Sequence, residues 1–287
     1  MKEAWDLLLL ENMKKLIYSI YIEVPDNEFV DNKKTNLNTK NEFIENYQKL
    51  IDCKKEYADS IGADFVLVNK YKEYYDEMKG KYPFWTTYNI INFYKIFLLY
   101  KFSSKYDQIL YLDFDVVPNT KENFFEVFDL SKGIAIANNN NKVARIEDIS
   151  ETSQTIRSPN SKYYNAQAML LHRGLSSDVD VVNTGIIGVD KSHLFQLEYF
   201  NQFDQDMITM TQLKFDTSMF PKKIVDYFGY DNETLFSVKL KEKDVSVQWL
   251  DDKWHYFFYD NLFIPEDTKL IHAINKRFDI VWRNVNA

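Results

Sequence analysis

The chain has 287 residues, 45% of them hydrophobic and 27% charged, with a net charge of −8. That length is ample for a sizeable core and the composition is that of a folded soluble protein, while the negative balance argues against a nucleic-acid binder that works by phosphate neutralisation. The lone Cys53 excludes an internal disulfide and a cysteine-rich metal centre, which suits a reducing, cytoplasmic setting.

No membrane span is expected. Leu7 to Leu10 is cut short by Glu11 and Asn12, and Lys14 and Lys15 follow the apolar run, whereas a signal peptide carries its positive charges before it. Residues 1–13 read as a leader or short helix, and 14–287 as a single domain. Leu16 to Val24 is the first strand, broken by Pro25-Asp26-Asn27, and 27–40 is a polar loop. Asn41 to Ile61 carries helical spacing and is stopped by Gly62, before a second strand at Ala63 to Val68. Tyr88 to Phe102 is a helix feeding an acidic strand at 108–115. Strands follow at Gly133 to Ala137 and, as two short pieces, within Val179 to Val189. Leu194 to Leu213 reads as helix and His255 to Ile274 as loop and strand. Residues 139–176 are polar and read as an irregular loop or insertion over the site. Strands alternating with helices predict an α/β fold with a mostly parallel sheet covered on both faces.

The acidic strand carries the strongest chemical signal. Tyr106 to Leu112 is apolar at its end and runs straight into Asp113-Phe114-Asp115, and Pro118 stops the ladder shortly after. At period two the acids share a direction, and two carboxylates at the end of a buried strand repel unless a cation lies between them. Hard oxygen ligands favour Mg²⁺ or Mn²⁺, which keep open positions for phosphate oxygens. A D-x-D triplet in a surface turn would merely be solvated, but the strand-end context is where open α/β sheets bind ligands.

An ordered set of segments extends this signal. Ile61-Gly62-Ala63-Asp64-Phe65, Lys95, Tyr111-Leu112-Asp113-Phe114-Asp115, Val182-Asn183-Thr184-Gly185, Tyr230-Asp231-Asn232-Glu233 and Leu270-Ile271-His272-Ala273 occur in that order. From about residue 14 to 283 the chain resembles the GT-A fold glycosyltransferases of family 8, the glycogenin and galactosyltransferase type with its viral and bacterial relatives. The resemblance implies that Asp113 and Asp115 meet a metal and the nucleotide donor, and that His272 completes the metal shell. An isolated histidine is more often a satisfied core imidazole, but its neutral nitrogen suits Mn²⁺ better than Mg²⁺. Lys95, on an otherwise apolar helix, must snorkel or find an anion, and the family often carries a donor-binding cation there. Asn183 corresponds to an asparagine facing donor sugar or acceptor; as plain sequence, Asn183-Thr184-Gly185 is also a common turn.

Asp231-Asn232-Glu233 aligns with the family's Asp-Gln-Asp, which in retaining members places a polar group beneath the anomeric carbon. In an inverting enzyme one acid would act as general base, and structurally the triplet reads as a helix N-cap. The glycine that usually follows the family's histidine is missing, and Lys276 or Arg277 is left to meet the leaving phosphate. The implied activity is metal-dependent transfer of a sugar from a nucleoside-diphosphate sugar, a UDP-sugar in particular, to a glycan or other hydroxyl acceptor. Rivals from other classes are a sugar-1-phosphate nucleotidyltransferase and a non-catalytic carbohydrate-binding protein of the same fold. The first would need a glycine-rich basic loop after strand one, where Ile22 to Asn27 has none.

Overall fold

The computed structural model describes residues 13–25, 38–148, 158–215 and 228–285. Its main sheet has six strands: β1 Lys15–Ile20, β2 Asp64–Val68, β3 Gln108–Leu112, β5 Ile134–Asn138, β6 Val182–Asp190 and β7 Val247–Trp249, in the order β2-β1-β3-β6-β5-β7. β1 pairs in parallel with both β2 and β3, and β5 with β7, while β6 alone runs antiparallel between β3 and β5. The sheet is therefore mostly parallel, as expected. A second sheet of three short strands joins β4 Val116–Pro118, β9 Leu270–Ala273 and β8 Tyr256–Phe258.

Side-chain alternation along the strands divides the core in two. Leu16 and Tyr18 of β1 and Ile109 and Tyr111 of β3 face one layer; Ile17, Leu110 and Leu112 face the other. The first layer is closed by helices α2 Lys72–Lys81, α3 Thr87–Phe102, α5 Pro159–His172, α7 Phe203–Phe215 and α8 Asn232–Glu242. The second is closed by α1 Thr39–Ser60, through Tyr57 and Ala58, together with Phe124 and Phe125 of α4 Phe124–Val127 and with Trp254. A third cluster joins Phe114 to the small sheet and to Phe278 and Val281 of the last helix, Phe278–Asn284.

Helix starts follow their capping residues. Asn38 caps α1 by accepting from Asn41 N, and Thr86 and Asn89 form a reciprocal capping box on α3. Ser158 caps α5 with Pro159 in its first turn. Asn89 also donates from Nδ2 to Tyr230 O at 2.8 Å, tying the start of α3 to the chain just before Asp231.

Several elements differ from the sequence expectations. The 139–176 stretch is not an irregular loop throughout. It holds α5, whose face of Ala166, Met169 and Leu170 packs into the core; residues 149–157 lie outside the described residues. The two short strands expected within Val179 to Val189 are one nine-residue strand, β6. The helix expected at Leu194 to Leu213 is split into α6 Lys191–Leu197 and α7, because Glu198 and Gln202 adopt left-handed φ of 48° and 62°. The acidic strand ends at Leu112, so both acids lie in the turn before β4 rather than on a strand. Pro118 closes the short strand β4 that follows, as its last residue, opposite Leu270 in the β4–β9 ladder. The leader at 1–13 and the loop at 27–40 fall almost wholly outside the described residues.

Candidate functional site

β1 leads through α1 to β2 on one side, and the chain then crosses back to β3 on the other. The C-terminal ends of β1 and β3 thus border a crevice where the winding reverses, the place where open α/β sheets bind ligands. A cleft of about 440 Å³ opens there, lined by the chain after β1, by Lys95, Asp113, Asp115, His272 and Lys276, and by Asn183, Asp231, Asn232 and Glu233.

The acidic turn is fixed at each of its three residues. Asp113 N donates to Gly185 O at 2.7 Å, Phe114 O accepts from Lys54 Nζ at 2.9 Å, and Asp115 O accepts from Ala273 N at 3.0 Å. Lys54, wholly buried on α1, also donates to Leu50 O at 3.0 Å and lies 5.2 Å from the Phe114 ring centre. Burial lowers its pKa, while the nearby Asp115 and Asp113 favour its charge.

Around this turn each carboxylate gives one oxygen to a lysine and turns the other to His272. Asp113 Oδ1 accepts from Tyr111 Oη at 2.5 Å and Lys95 Nζ at 3.3 Å, and Asp113 Oδ2 lies 3.8 Å from His272 Nε2. Asp115 Oδ2 accepts from Lys276 Nζ, and Oδ1 lies 3.5 Å from His272 Nε2. Burial works against the charged Asp115, but Lys276 and His272 outweigh it and hold the carboxyl well below the usual range. The ring of His272 lies close against residue 185, which has no side chain to displace it. A Cβ there would stand 2.8 Å from His272 Nδ1 and 2.9 Å from Asn183 Oδ1.

These three residues fit a divalent ion. Ligands of a six-coordinate ion at about 2.1 Å sit roughly 3 Å apart, and here the donor atoms lie within 4.8 Å of one another. The two carboxylate oxygens turned to His272 are the two that the lysines leave, so both are open to an ion. Two hard oxygens with one imidazole nitrogen suit Mn²⁺.

On the far wall the acids are bound up differently. Glu233 Oε1 accepts from Thr184 N at 2.8 Å and Thr184 Oγ1 at 3.1 Å, and Oε2 pairs with Lys162 of α5. Burial opposes the charge on Glu233, but Lys162 and Lys95 prevail and lower its pKa. Lys162 is raised in turn: burial opposes its charge, and Glu233 and Asp231 overcome that. Asp231 caps α8, Oδ1 accepting from Glu233 N and Thr234 N at 2.9 Å each; its pKa is raised by burial and Glu233, against the pull of Lys162. Asn232 donates from Nδ2 to Thr184 Oγ1 at 2.8 Å, and Asn183 Oδ1 accepts from Gly185 N at 2.9 Å.

The structure thus brings Lys95, Asp113, Asp115, Asn183, Asp231, Asn232, Glu233, His272 and Lys276 to one cleft. Arg277 is the exception: its guanidinium turns onto Asp279 and it does not line the cleft. Lys276 holds a left-handed φ of 57° after the histidine, a conformation that glycine adopts without strain. Sequence reasoning missed Lys54, Lys162 and His255. Lys54 was within reach of it, since Leu50, Lys54, Tyr57 and Ala58 form the single buried stripe of α1. Lys162 shares such a stripe with Asn165, Ala166 and Met169.

No protein-family model matches the sequence, and no curated protein matches it. Among solved structures the chain is similar to a glycosyltransferase involved in glycosylation of the major capsid of PBCV-1, at 12% identity, covering 94% of this chain and 99% of that one, TM-score 0.47. It is similar to the galactosyltransferase LgtC in complex with donor and acceptor sugar analogues, at 12% identity, covering 95% and 97%, TM-score 0.46. Mouse xyloside xylosyltransferase 1 matches at 10% identity, covering 91% and 98%, TM-score 0.46. At such values the likeness carries no functional weight, and function is read from the site itself.

Proposed function

We propose that this protein is a metal-dependent glycosyltransferase that moves a sugar from a nucleoside-diphosphate sugar to a hydroxyl acceptor. The observation that carries this is the convergence, at the reversal point of the sheet, of two carboxylates and an imidazole with two lysines, facing a polar wall of Asn183 and Asp231 to Glu233. Asp113, Asp115 and His272 would hold the ion. When bound, it neutralises the diphosphate and polarises it as a leaving group. Lys95 and Lys276 would meet the growing negative charge, a role supported by their place in the cleft beside the ligand carboxylates.

Glu233 is unsuited to general-base work. Both its oxygens are occupied and Lys162 holds it ionised, so its role is to fix Thr184 and the start of β6 that carries Asn183. Asp231 and Asn232 present polar atoms to the space where a sugar would lie, and their role is to orient it. A nucleotidyltransferase is less favoured, because the described chain just after β1 contributes the apolar Ile22 and Val24 to the cleft and no lysine or arginine.

The test is calorimetric titration of UDP and other nucleoside diphosphates with and without Mn²⁺, followed by a donor screen for nucleotide release. Metal-enhanced nucleotide binding and release from at least one sugar donor are expected. Nucleotide binding indifferent to every divalent ion, with no release from any donor, rejects the proposal.

A further inference from the structure

His255 lies behind His272 and outside the cleft, 1% exposed. Its Nε2 is 2.9 Å from Nδ1 of His272, and its own Nδ1 has no hydrogen-bond partner among the described residues. The ring is stacked on Phe257, centroids 4.3 Å apart at 18°. The backbone beneath it is a tight turn: His255 N and Trp254 N donate to Asp251 O at 2.9 and 3.1 Å. Lys253 O accepts from Lys269 N at 2.8 Å and ties that turn to β9, the strand that carries His272.

We propose, resting on the metal-site reading above, that His255 is a positioning residue for the metal centre, its Nε2 holding Nδ1 of His272 so that His272 Nε2 faces the ion. An imidazole buried with one nitrogen unpartnered is costly, and a phenyl ring would fill the same stacked space without that cost. The bond to His272 is what an imidazole adds there. A ligand histidine needs its second nitrogen engaged, because that bond fixes both ring rotation and the tautomer that leaves a lone pair for the metal. When His272 donates Nδ1–H to His255 Nε2, its Nε2 lone pair points at the gap between Asp113 Oδ2 and Asp115 Oδ1. His255 is too deep to reach that gap itself, so it acts only through His272.

The test compares Mn²⁺ affinity by calorimetry in wild type, His255→Phe and His255→Gln, with thermal melting to verify folding and UDP titration without metal as a control. His255→Phe keeps the stack and loses the bond, and is expected to weaken Mn²⁺ binding about 10–100-fold. His255→Gln restores an acceptor at the position of Nε2 and is expected to recover most of that loss. UDP binding without metal should be the same in all three. Unchanged Mn²⁺ affinity in His255→Phe, or equal losses in both variants, overturns the proposal and leaves His255 a packing residue. A wild type that binds no divalent ion would instead overturn the metal site itself, an outcome distinct from either.

Discussion

At one side of the cleft, Asp113 and Asp115 each give one carboxylate oxygen to a lysine and turn the other towards His272. At the opposite side, Glu233 commits both oxygens to Lys162 and Thr184, and Asp231 commits one to the cap of α8. The first pair keeps coordination capacity in reserve. The second is part of the scaffold, its counter-charge held in the buried Lys162–Glu233 pair on the cleft wall. Two pairs of carboxylates that line one cleft can thus differ in kind, and the difference lies in whether their oxygens are already occupied.

The largest effect should come from removing a carboxylate of the first kind. Asp115→Ala is expected to abolish Mn²⁺ binding and to lower sugar transfer at least about a thousandfold, the scale of several kcal/mol of charge stabilisation from a bound ion. Its melting temperature should change little, because Lys276 is partly exposed and can swing to water once its partner is gone. Calorimetry, nucleotide-release assays and melting together decide; near wild-type transfer with Mn²⁺ would remove Asp115 from the metal site.

On the scaffold side, stability should suffer before chemistry does. Glu233→Gln leaves the buried Lys162 ammonium without its counter-ion, and breaking such a pair costs about 3–5 kcal/mol. Denaturant unfolding should show that loss, and the double change Glu233→Gln with Lys162→Met should recover much of it. A loss under about 1 kcal/mol in the single variant would mean that the pair contributes as weakly as a surface salt bridge.

A smaller effect should separate the two faces of β6. Gly185→Ala would place a methyl against His272 Nδ1, and Gly188→Ala would place one 2.6 Å from Phe124 Cε1 on the other side of the strand. Both should cost about 1–3 kcal/mol by overpacking. Only Gly185→Ala should also weaken Mn²⁺ binding in calorimetry. Equal metal affinity in the two variants would show that His272 adapts freely and is not held by its seat.

Much of the cleft was legible in the sequence, because the acidic turn follows an unmistakable apolar run and the late histidine follows the apolar pair Leu270-Ile271. The alternating strands and helices likewise gave the class of fold and its mostly parallel sheet. What escaped was the set of partners that tune those residues. Lys54 and Lys162 are buried cations on helix faces, and in sequence they look like any surface lysine until their neighbours in the stripe are counted. His255 sits in a loop 17 residues before His272, and only the β8–β9 pairing brings the rings together. Arg277 misled because its guanidinium reaches Asp279 two residues on, a local bond that the long-range expectation overlooked.

The smallest effect concerns Asp231 and separates the neighbouring acids by the sign of their pH dependence. Glu233 has a folded-state pKa below its unfolded value. Its stabilisation is therefore present above the ordinary glutamate pKa and fades as pH falls through the lowered value. Asp231 is shifted upward, so in the interval above the ordinary aspartate pKa the native state holds the extra proton, and stability falls as pH rises through that interval. Asparagine caps a helix about as well as aspartate and carries no charge to bury. Asp231→Asn should therefore compare more favourably with wild type at pH 7 than at pH 4, as read from the difference in melting temperature. In transfer assays the same variant should lose less than about tenfold and keep the shape of the wild-type pH–rate profile, since an orienting amide replaces an orienting carboxylate. A collapse of transfer that also flattens the rise of rate with pH would assign proton abstraction to Asp231 and make the enzyme an inverting one, a conclusion that the anomeric configuration of the product would check independently.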